Sequence, residues 1–203
     1  MKLGIVMDPI ESINFKKDST LAMMLEAQKR GHKLFYMKPE SLFIDSGTAY
    51  AATSCVQVKN DPQDWYSLEK ERIIKLSELN VILMRQDPPF NSAYIYNTYV
   101  LEMAAREGVH VLNNPQSLRD CNEKVYATEF PHCCTKHLVS SNQLHIKEFI
   151  SKYKDTVIKP LDGMGGTSIF RLKLQDPNLN VILETITNHY SRKVMIQEYI
   201  PEI

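Results

Sequence analysis

The chain has 203 residues, of which 43% are hydrophobic and 24% are charged, an ordinary composition for a globular protein. Lysine and arginine number 24 and so do aspartate and glutamate, so the formal net charge is zero. This balance argues against a nucleic-acid partner, which needs a basic excess, and no apolar run is long enough for a membrane span.

The four cysteines and the N-terminus indicate the compartment. The apolar run at residues 3–7 is too short for a signal peptide, so we expect a cytoplasmic protein with free thiols. The cluster at residues 132–137 contains two histidines and two cysteines but lacks the Cys-x-x-Cys spacing of a zinc site. We therefore expect no metal there.

The first half of the chain alternates apolar runs with amphipathic stretches. Strands are predicted at residues 3–7, 34–37, 81–84 and 109–112. One helix follows the N-cap region at residues 18–20 and ends at Gly31, and another spans about 93–107 and ends at Gly108. The apolar stripe predicted for the second helix is Tyr96, Val100, Met103 and Ala104. Residues 38–80 are harder to interpret: 56–58 favour a short strand, and 65–76 have weak helical periodicity.

Alternating strands and helices predict an α/β fold with a mostly parallel sheet. In such sheets ligands bind beyond the carboxyl ends of the strands. Asp8, Arg85 and Asn113 each follow a predicted strand. We therefore expect all three near one rim of the sheet.

The pattern changes from about Asn122. Strands are predicted at residues 138–139, 156–159, 168–174 and 194–200, and helices at about 146–153 and 179–186. The order is strand, helix, strand, loop, strand, helix, strand. A boundary near Cys121 then gives two domains, residues 1–121 and 122–203.

Three of the seven glycines fall in one four-residue window, at Gly163, Gly165 and Gly166 around Met164. Such density lets successive backbone N–H groups face one anion, and Lys159 before the loop adds a positive charge. The loop matches neither a Walker A nor a Rossmann fingerprint, because it joins two predicted strands. It predicts a flap over a phosphate group; the alternative is a glycine-rich hairpin turn without a ligand.

Two other segments are weaker candidates when taken alone. Lys124 lies near the start of a helix at the domain boundary, where a lysine is more often solvated surface. Residues 197–200 end a strand whose edge could offer an adenine ring one donor and one acceptor, although they also fit an ordinary amphipathic strand. These residues are Gln197, Glu198, Tyr199 and Ile200.

Residues 6–10, 83–90, 114–124 and 159–166 closely resemble the bacterial type of glutathione synthetase, a family of the ATP-grasp superfamily. The resemblance runs along essentially the whole chain. It implies a Rossmann-like, pre-ATP-grasp substrate-binding domain followed by the α+β lid subdomain of an ATP-grasp fold. It also implies a reaction, in which ATP phosphorylates the cysteinyl carboxylate of gamma-glutamylcysteine and the amine of glycine displaces the phosphate to give glutathione.

The resemblance further implies roles for individual residues. Lys124 and Lys159 would contact ATP phosphates and the adenine pocket, the glycine loop would close over the triphosphate, and residues 197–200 would hold the adenine edge. Arg85 would bind a substrate carboxylate, since its fork suits bidentate binding; the alternative is a structural salt bridge. No catalytic residue is assigned within the chain. Family chains run on by roughly a hundred residues, a domain-scale difference, and their metal ligands lie there, so the Mg²⁺ site is expected outside these residues and the chain alone is expected to be inactive.

Two positions depart from the family pattern, in which a lysine follows Arg85 and an aspartate follows Phe90; here Gln86 and Asn91 stand instead. Both changes lower the local charge and could weaken substrate contacts. Two alternatives stay open: a non-catalytic nucleotide-binding or assembly remnant, and another ATP-grasp carboxylate–amine ligase. A homo-oligomer is also left open.

Overall fold

The computed structural model describes residues 1–202 and divides into two compact units, Met1–Asp120 and the part from Cys121 onward. The first unit contains eight strands and three α-helices. In chain order they are β1 (Lys2–Val6), α1 (Ser19–Lys29), β2 (Lys33–Met37), β3 (Leu42–Asp45), β4 (Thr48–Val58), β5 (Tyr66–Leu68), β6 (Arg72–Lys75), β7 (Val81–Met84), α2 (Ser92–Arg106), β8 (His110–Leu112) and α3 (Pro115–Asp120).

One eight-stranded sheet organises the first unit. Its main path runs β3-β4-β2-β1-β7-β8, with β5 and β6 also paired to β4. The pairs β1–β2, β1–β7 and β7–β8 are parallel, whereas every pairing of β4 is antiparallel. The α/β fold class is confirmed, and the sheet is mixed because residues 42–75 add antiparallel strands to the parallel part.

Both faces of the parallel part are buried, which explains why its strands are apolar almost throughout. Successive side chains of a strand point to opposite faces, so Ile5 and Val6 belong to different cores. Ile5 packs in a cluster with Leu21 of α1, and Val6 in a cluster with Leu101 of α2. The sheet is therefore covered by a helix on each face.

Two expectations for this unit are wrong. The weak helical periodicity at residues 65–76 does not form a helix; the segment contains β5 and β6 instead. Ile73 and Ile74 are β-branched and pair with β4, and Ile74 is buried while Ile73 is 65% exposed, the alternation of a strand.

Tyr96 does not belong to the apolar stripe of α2, where the sequence predicts it, because its side chain is 64% exposed. The buried face passes through Tyr94 and Leu101, and Val100 and Ala104 lie on it as predicted. Tyr94 is the first buried residue of this face, so it fills the position in the stripe that was predicted for Tyr96.

The second unit contains a four-stranded antiparallel sheet with the order β11-β10-β12-β9. Its elements are α4 (Glu123–Tyr126), β9 (His137–Ser140), α5 (Gln143–Tyr153), β10 (Thr156–Pro160), β11 (Phe170–Leu172), α6 (Leu179–Ile186) and β12 (Val194–Glu198). From β9 onward the order is the predicted one, although β11 and β12 are shorter than expected.

The core of this unit lies between the sheet and two helices. Ile150 of α5 and Leu183 of α6 form one buried cluster with Ile158 of β10. Because side chains alternate along a strand, Lys159 points to the sheet face opposite this core. The lysine that precedes the glycine loop is thereby kept out of the apolar interior.

None of the helices in the described part of the chain combines the length and the apolar character needed to cross a bilayer.

Candidate functional site

The glycine loop joins β10 to β11, as the sequence predicts. Within residues 1–202, the amides at positions 163–166 donate to no protein group, and the one backbone bond inside the loop runs from the Thr167 amide to the Met164 carbonyl, at 3.3 Å. Gly165 and Gly166 have φ values of +68° and +79°, a conformation that L side chains rarely adopt. The loop therefore presents unused donors on a backbone that depends on glycine.

This loop borders an open cavity of about 210 Å³. The cavity brings together six of the predicted site residues: Lys124, Lys159, Gly163, Met164, Gly165 and Gly166. Glu123, Pro160, Thr167 and Ile169 complete the lining. Two ammonium groups and a run of backbone amides thus border one hollow, a combination suited to an anion.

Lys124 is held in place rather than solvated. Its side chain is 13% exposed, and Nζ donates to the Gly163 carbonyl and to Glu123 Oε1, both at 2.7 Å. An ammonium group has three donors, so one remains for a ligand. The surface-lysine alternative does not describe this side chain.

Asn122, which the sequence analysis did not assign, sits beside these groups. Its Oδ1 accepts the amides of Lys124 and Val125 at 3.1 Å, and its Nδ2 donates to the Leu161 carbonyl at 3.0 Å. The N-cap preference of asparagine before Glu123 was visible in the sequence, but the contact with Leu161 spans 39 residues.

The environment of Lys159 opposes its charge. Burial is the main cause that lowers the pKa of its ammonium group, and the nearby Lys124 lowers it further, while Glu123 and Cys134 act in the other direction. An anion in the cavity would offset the repulsion between Lys124 and Lys159. The electrostatics therefore favour a negatively charged guest.

The four residues predicted to hold an adenine edge are not part of this lining. Gln197 and Glu198 end β12, and the amides of Glu198 and Tyr199 already donate to the carbonyls of Lys136 and Asp155, at 2.9 and 3.0 Å. The amide of Ile200, just past the strand, has no protein acceptor among the residues described. It is the donor of this segment that a ligand could use.

The ring of Tyr199 stacks on the guanidinium of Arg171. The Arg171 guanidinium lies 3.7 Å from its centroid and donates to both carboxylate oxygens of Asp155, at 2.8 and 2.6 Å. A guanidinium stacked on a ring and bound bidentately orients both partners. The side chain just beyond β12 is therefore oriented by residues of β11 and of the turn before β10.

In the first unit, Arg85 follows β7 at the carboxyl-end rim. Its Nε and Nη2 donate to Thr20 Oγ1 and Ser19 Oγ, at 3.0 and 2.9 Å. Within the described chain no carboxylate lies within 4.0 Å of it, so the salt-bridge alternative does not hold. The two hydroxyls, which were predicted only as part of a capping region, orient a guanidinium that has no carboxylate partner among the described residues.

Asp8 and Asn113 belong to the same rim. Asp8 follows β1 and accepts the amide of Asp87 at 2.7 Å, and Asn113 follows β8, the neighbour of β7. Burial first, and then the charge of Asp8, raises the pKa of Asp87, while Arg85 opposes the shift. The rim that the strand order predicts is present and carries both signs of charge.

Two family models match the chain. The N-terminal domain of prokaryotic glutathione synthetase matches residues 1–119, and the ATP-grasp domain of the same enzyme matches residues 123–203. The chain belongs to the prokaryotic glutathione synthetase family. This agrees with the resemblance seen in the four sequence segments.

Relatives in this family are similar over the whole chain. The glutathione synthetases of Vibrio parahaemolyticus and Pseudomonas putida are 52% and 54% identical over 203 residues, which is 100% of this chain and 64% of each relative. That of Buchnera aphidicola is 51% identical, with 63% of its length covered. The chain thus spans slightly less than two thirds of the curated relatives it matches.

Solved structures share the fold at low identity. The D-cycloserine synthetase DcsG has a TM-score of 0.64 at 13% identity, covering 98% of this chain and 60% of that one. A RimK domain ATP-grasp protein from Sphaerobacter thermophilus has a TM-score of 0.62 at 14% identity, covering 99% and 64%. These likenesses concern the fold alone.

The two departures from the glutathione synthetase pattern both have structural roles. Asn91 Oδ1 accepts the Tyr94 amide at 3.0 Å and caps α2, a role that aspartate performs equally well. Gln86 Oε1 accepts from Asn97 Nδ2 at 3.0 Å, so this side chain is anchored to α2. Neither residue takes part in the loop cavity.

No three histidine, cysteine, aspartate or glutamate side chains converge on a metal position anywhere in the described residues. Of the four cysteines, all free, Cys55 is buried, Cys121 and Cys133 are exposed, and Cys134 is intermediate. The Cys134 thiol donates to the Ala127 carbonyl.

Proposed function

We propose that this chain takes part in the ATP-dependent joining of gamma-glutamylcysteine to glycine, forming glutathione. The observation that carries the proposal is the loop cavity. Two lysines line it, together with the four residues whose amides have no acceptor among the described residues, in a chain that matches both glutathione synthetase domains. The relatives that cover the whole chain carry the name of this enzyme.

The proposed chemistry has two steps. The ATP γ-phosphoryl group moves to the cysteinyl carboxylate, which gives an acyl phosphate and ADP. The glycine amine then attacks the acyl carbon, phosphate leaves, and the nitrogen loses a proton to form the amide. Phosphoryl transfer needs positioning and charge neutralisation more than a protein nucleophile, which is the kind of help that lysines and backbone amides give.

Roles follow for the residues already described. Lys124, Lys159 and the amides at 163–166 bind the phosphates, with Met164 over them. Residues 197–200 bind the adenine edge, with Ile200 as the free donor. Arg85, oriented by Ser19 and Thr20, binds a carboxylate of gamma-glutamylcysteine. The two proposed domains are a substrate-binding domain at 1–121 and a nucleotide lid at 122–203.

Mg²⁺ is proposed as the companion of ATP, where it would neutralise phosphate charge. No residue of the described chain is assigned to it, because no suitable cluster of side chains converges there. A cytoplasmic location is proposed on the four free thiols, and homo-oligomerisation stays a prediction.

Nucleotide binding is tested on the chain itself with a fluorescent ATP analogue and anisotropy. We expect Lys124→Met and Lys159→Met each to weaken binding by roughly 10- to 100-fold, the range for a lost charge-assisted hydrogen bond. Lys147→Met is the matched control, because Lys147 lies on α5 outside the cavity lining. Equal affinities for all four proteins would contradict the proposed phosphate site.

Turnover is tested in a chimera in which the remaining part of the Vibrio parahaemolyticus relative follows residue 203. Phosphate release should require ATP, gamma-glutamylcysteine and glycine together. Phosphate release is also measured without glycine and with another amine in its place. Release that does not depend on glycine would indicate another carboxylate–amine ligase. A chimera that binds ATP without releasing phosphate would support the non-catalytic alternative and contradict the ligase.

A further inference from the structure

Asn122 joins two segments that are far apart in the chain. Its Oδ1 accepts two amides at the start of α4, and its Nδ2 donates to the Leu161 carbonyl at the base of the glycine loop. The orientation of the side-chain amide is fixed by its partners, since two N–H donors face one end and a carbonyl faces the other. One side chain therefore connects the segment that carries Lys124 to the loop.

The glycine loop has little else to hold it. Apart from the bond between Thr167 and Met164 and the bond from Asn122 to Leu161, the hydrogen bonds and ion pairs of the loop within the described residues are the Lys124–Gly163 bond and an ion pair between Asp162 and Arg192 at 3.9 Å. That ion pair is exposed, with 54% of the Arg192 side chain accessible, so it contributes little. Order in the loop rests mainly on Asn122 and Lys124.

These two links respond differently to an anion. Lys124 is charged and lines the cavity, so a phosphate that binds its remaining donor also competes with the Gly163 carbonyl for the ammonium group. Asn122 is neutral, and its donor is directed at Leu161. The Asn122 link therefore does not compete with a phosphate for a donor.

We propose that Asn122 is a positioning residue that fixes the base of the glycine loop against α4, so that the loop amides and both lysines face the same phosphate group. The inference rests on the proposed function and adds to it a residue that touches neither ATP nor substrate. Without this link the loop amides would spread over many orientations and bind a phosphate less well.

Asn122→Ser separates the two roles of the side chain. Serine caps a helix about as well as asparagine but cannot reach the Leu161 carbonyl, and the change leaves the charge of the site unaltered. Asn142→Ser is the matched control: Asn142 caps α5 with the same pair of bonds, to the amides of Leu144 and His145, and its side chain makes no bond to the loop.

Backbone order is measured first, by ¹⁵N relaxation on the chain without nucleotide. We expect the order parameters at Gly163, Gly165 and Gly166 to fall in Asn122→Ser, toward the range below about 0.6 that marks flexible backbone, and to stay unchanged in Asn142→Ser. Unchanged order parameters in Asn122→Ser, or the same fall in both variants, would contradict the proposal that Asn122 orders the loop.

ATP affinity is measured next on the same proteins. Loss of one hydrogen bond that orders the loop should weaken binding by about three- to tenfold in Asn122→Ser alone. A looser loop with unchanged affinity would overturn the positioning role. If the wild-type chain fails to bind ATP, the proposed function fails. The relaxation measurement still tests whether Asn122 orders the loop, because it needs no nucleotide.

Discussion

At the scale of single residues, Lys159 carries its charge in an environment that disfavours it. Burial and the neighbouring Lys124 both lower the pKa of its ammonium group. A residue that destabilises the empty protein in this way is typical of a binding site, where the ligand supplies the missing counter-charge. The ion pair of Asp155 with Arg171 shows the opposite case, a charge matched within the protein.

Lys159→Met should stabilise the empty chain by roughly 0.5–1 kcal/mol, in the range found when a functional site is relaxed. In the folded protein the pKa of the Lys159 ammonium group is below its ordinary value of 10.5. The destabilisation caused by its charge is therefore fully present below the lowered pKa and disappears as the pH rises to 10.5. The difference in melting temperature from wild type should therefore narrow at alkaline pH. A difference that does not change with pH, or that Lys147→Met reproduces, would contradict this explanation.

Asp155→Asn should destabilise the chain at neutral pH and have little effect in acid. Hydrogen bonds from Arg171 are the main cause that lowers the pKa of the Asp155 carboxyl, and burial opposes them. Because the pKa of the carboxyl group is lowered in the folded protein, its ionised form stabilises the fold at pH values above the ordinary pKa of about 3.9. This stabilisation is lost as the pH falls through the pKa of the folded state.

Melting temperatures of wild type and Asp155→Asn, measured from pH 7 down to pH 2.5, check this expectation. The two curves should converge below about pH 4. Repeating the pair in an Arg171→Met background completes a double-mutant cycle, in which Asp155→Asn should lose most of its effect. A constant gap at every pH would argue against the ion pair as the cause.

At the scale of elements, short polar side chains define where several helices begin. Asp18 caps α1, Asn91 caps α2, Asn122 caps α4 and Asn142 caps α5, each by accepting backbone amides of the first turn. These caps are local interactions, and the cap region of α1 at residues 18–20 was predicted from the sequence. What they do besides capping depends on the tertiary neighbours, as Asn122 illustrates.

Asn91→Ala should lower the free energy of unfolding by about 1 kcal/mol, because it leaves the Tyr94 amide without its cap. Asn91→Asp restores the residue of the family pattern and should be at least as stable as wild type, since a negative charge is favourable at a helix start. Urea denaturation measures both. Equal destabilisation by alanine and aspartate would show that capping is not the role of Asn91.

At the scale of the whole molecule, each compact unit has its own apolar interior. The first has a core on each face of its sheet, and the second has one core between its sheet and two helices. The buried clusters of each unit are formed by residues of that unit. This is the arrangement expected of units that fold independently.

Residues 1–120 expressed alone should therefore unfold in one cooperative urea transition. Trp65, the single tryptophan of the chain, lies in this unit and bonds through Nε1 to the Ile10 carbonyl at 3.2 Å, so its fluorescence reports on tertiary structure there. Fluorescence and far-ultraviolet circular dichroism should give coincident curves. Separate midpoints would show that the two faces of the sheet do not fold as one unit.

The sequence by itself determined the parallel strands, the cap of α1, the glycine loop and the lysine that precedes it. Each of these depends on apolar runs, on side chains a few residues apart or on the conformational freedom of glycine, and such information is local. The family resemblance likewise rests on short segments and agrees with the family models.

The short strand favoured at residues 56–58 is the end of β4, but only the tertiary structure decided the other antiparallel strands at residues 42–75. It also decided the exposure of Tyr96 and the partners of Asn122 and Arg85. Asn122 meets Leu161 across 39 residues, and Arg85 meets Thr20 across 65. Such pairings are selected by the packing of the whole unit, because many segments have the propensity to form them and burial decides which do.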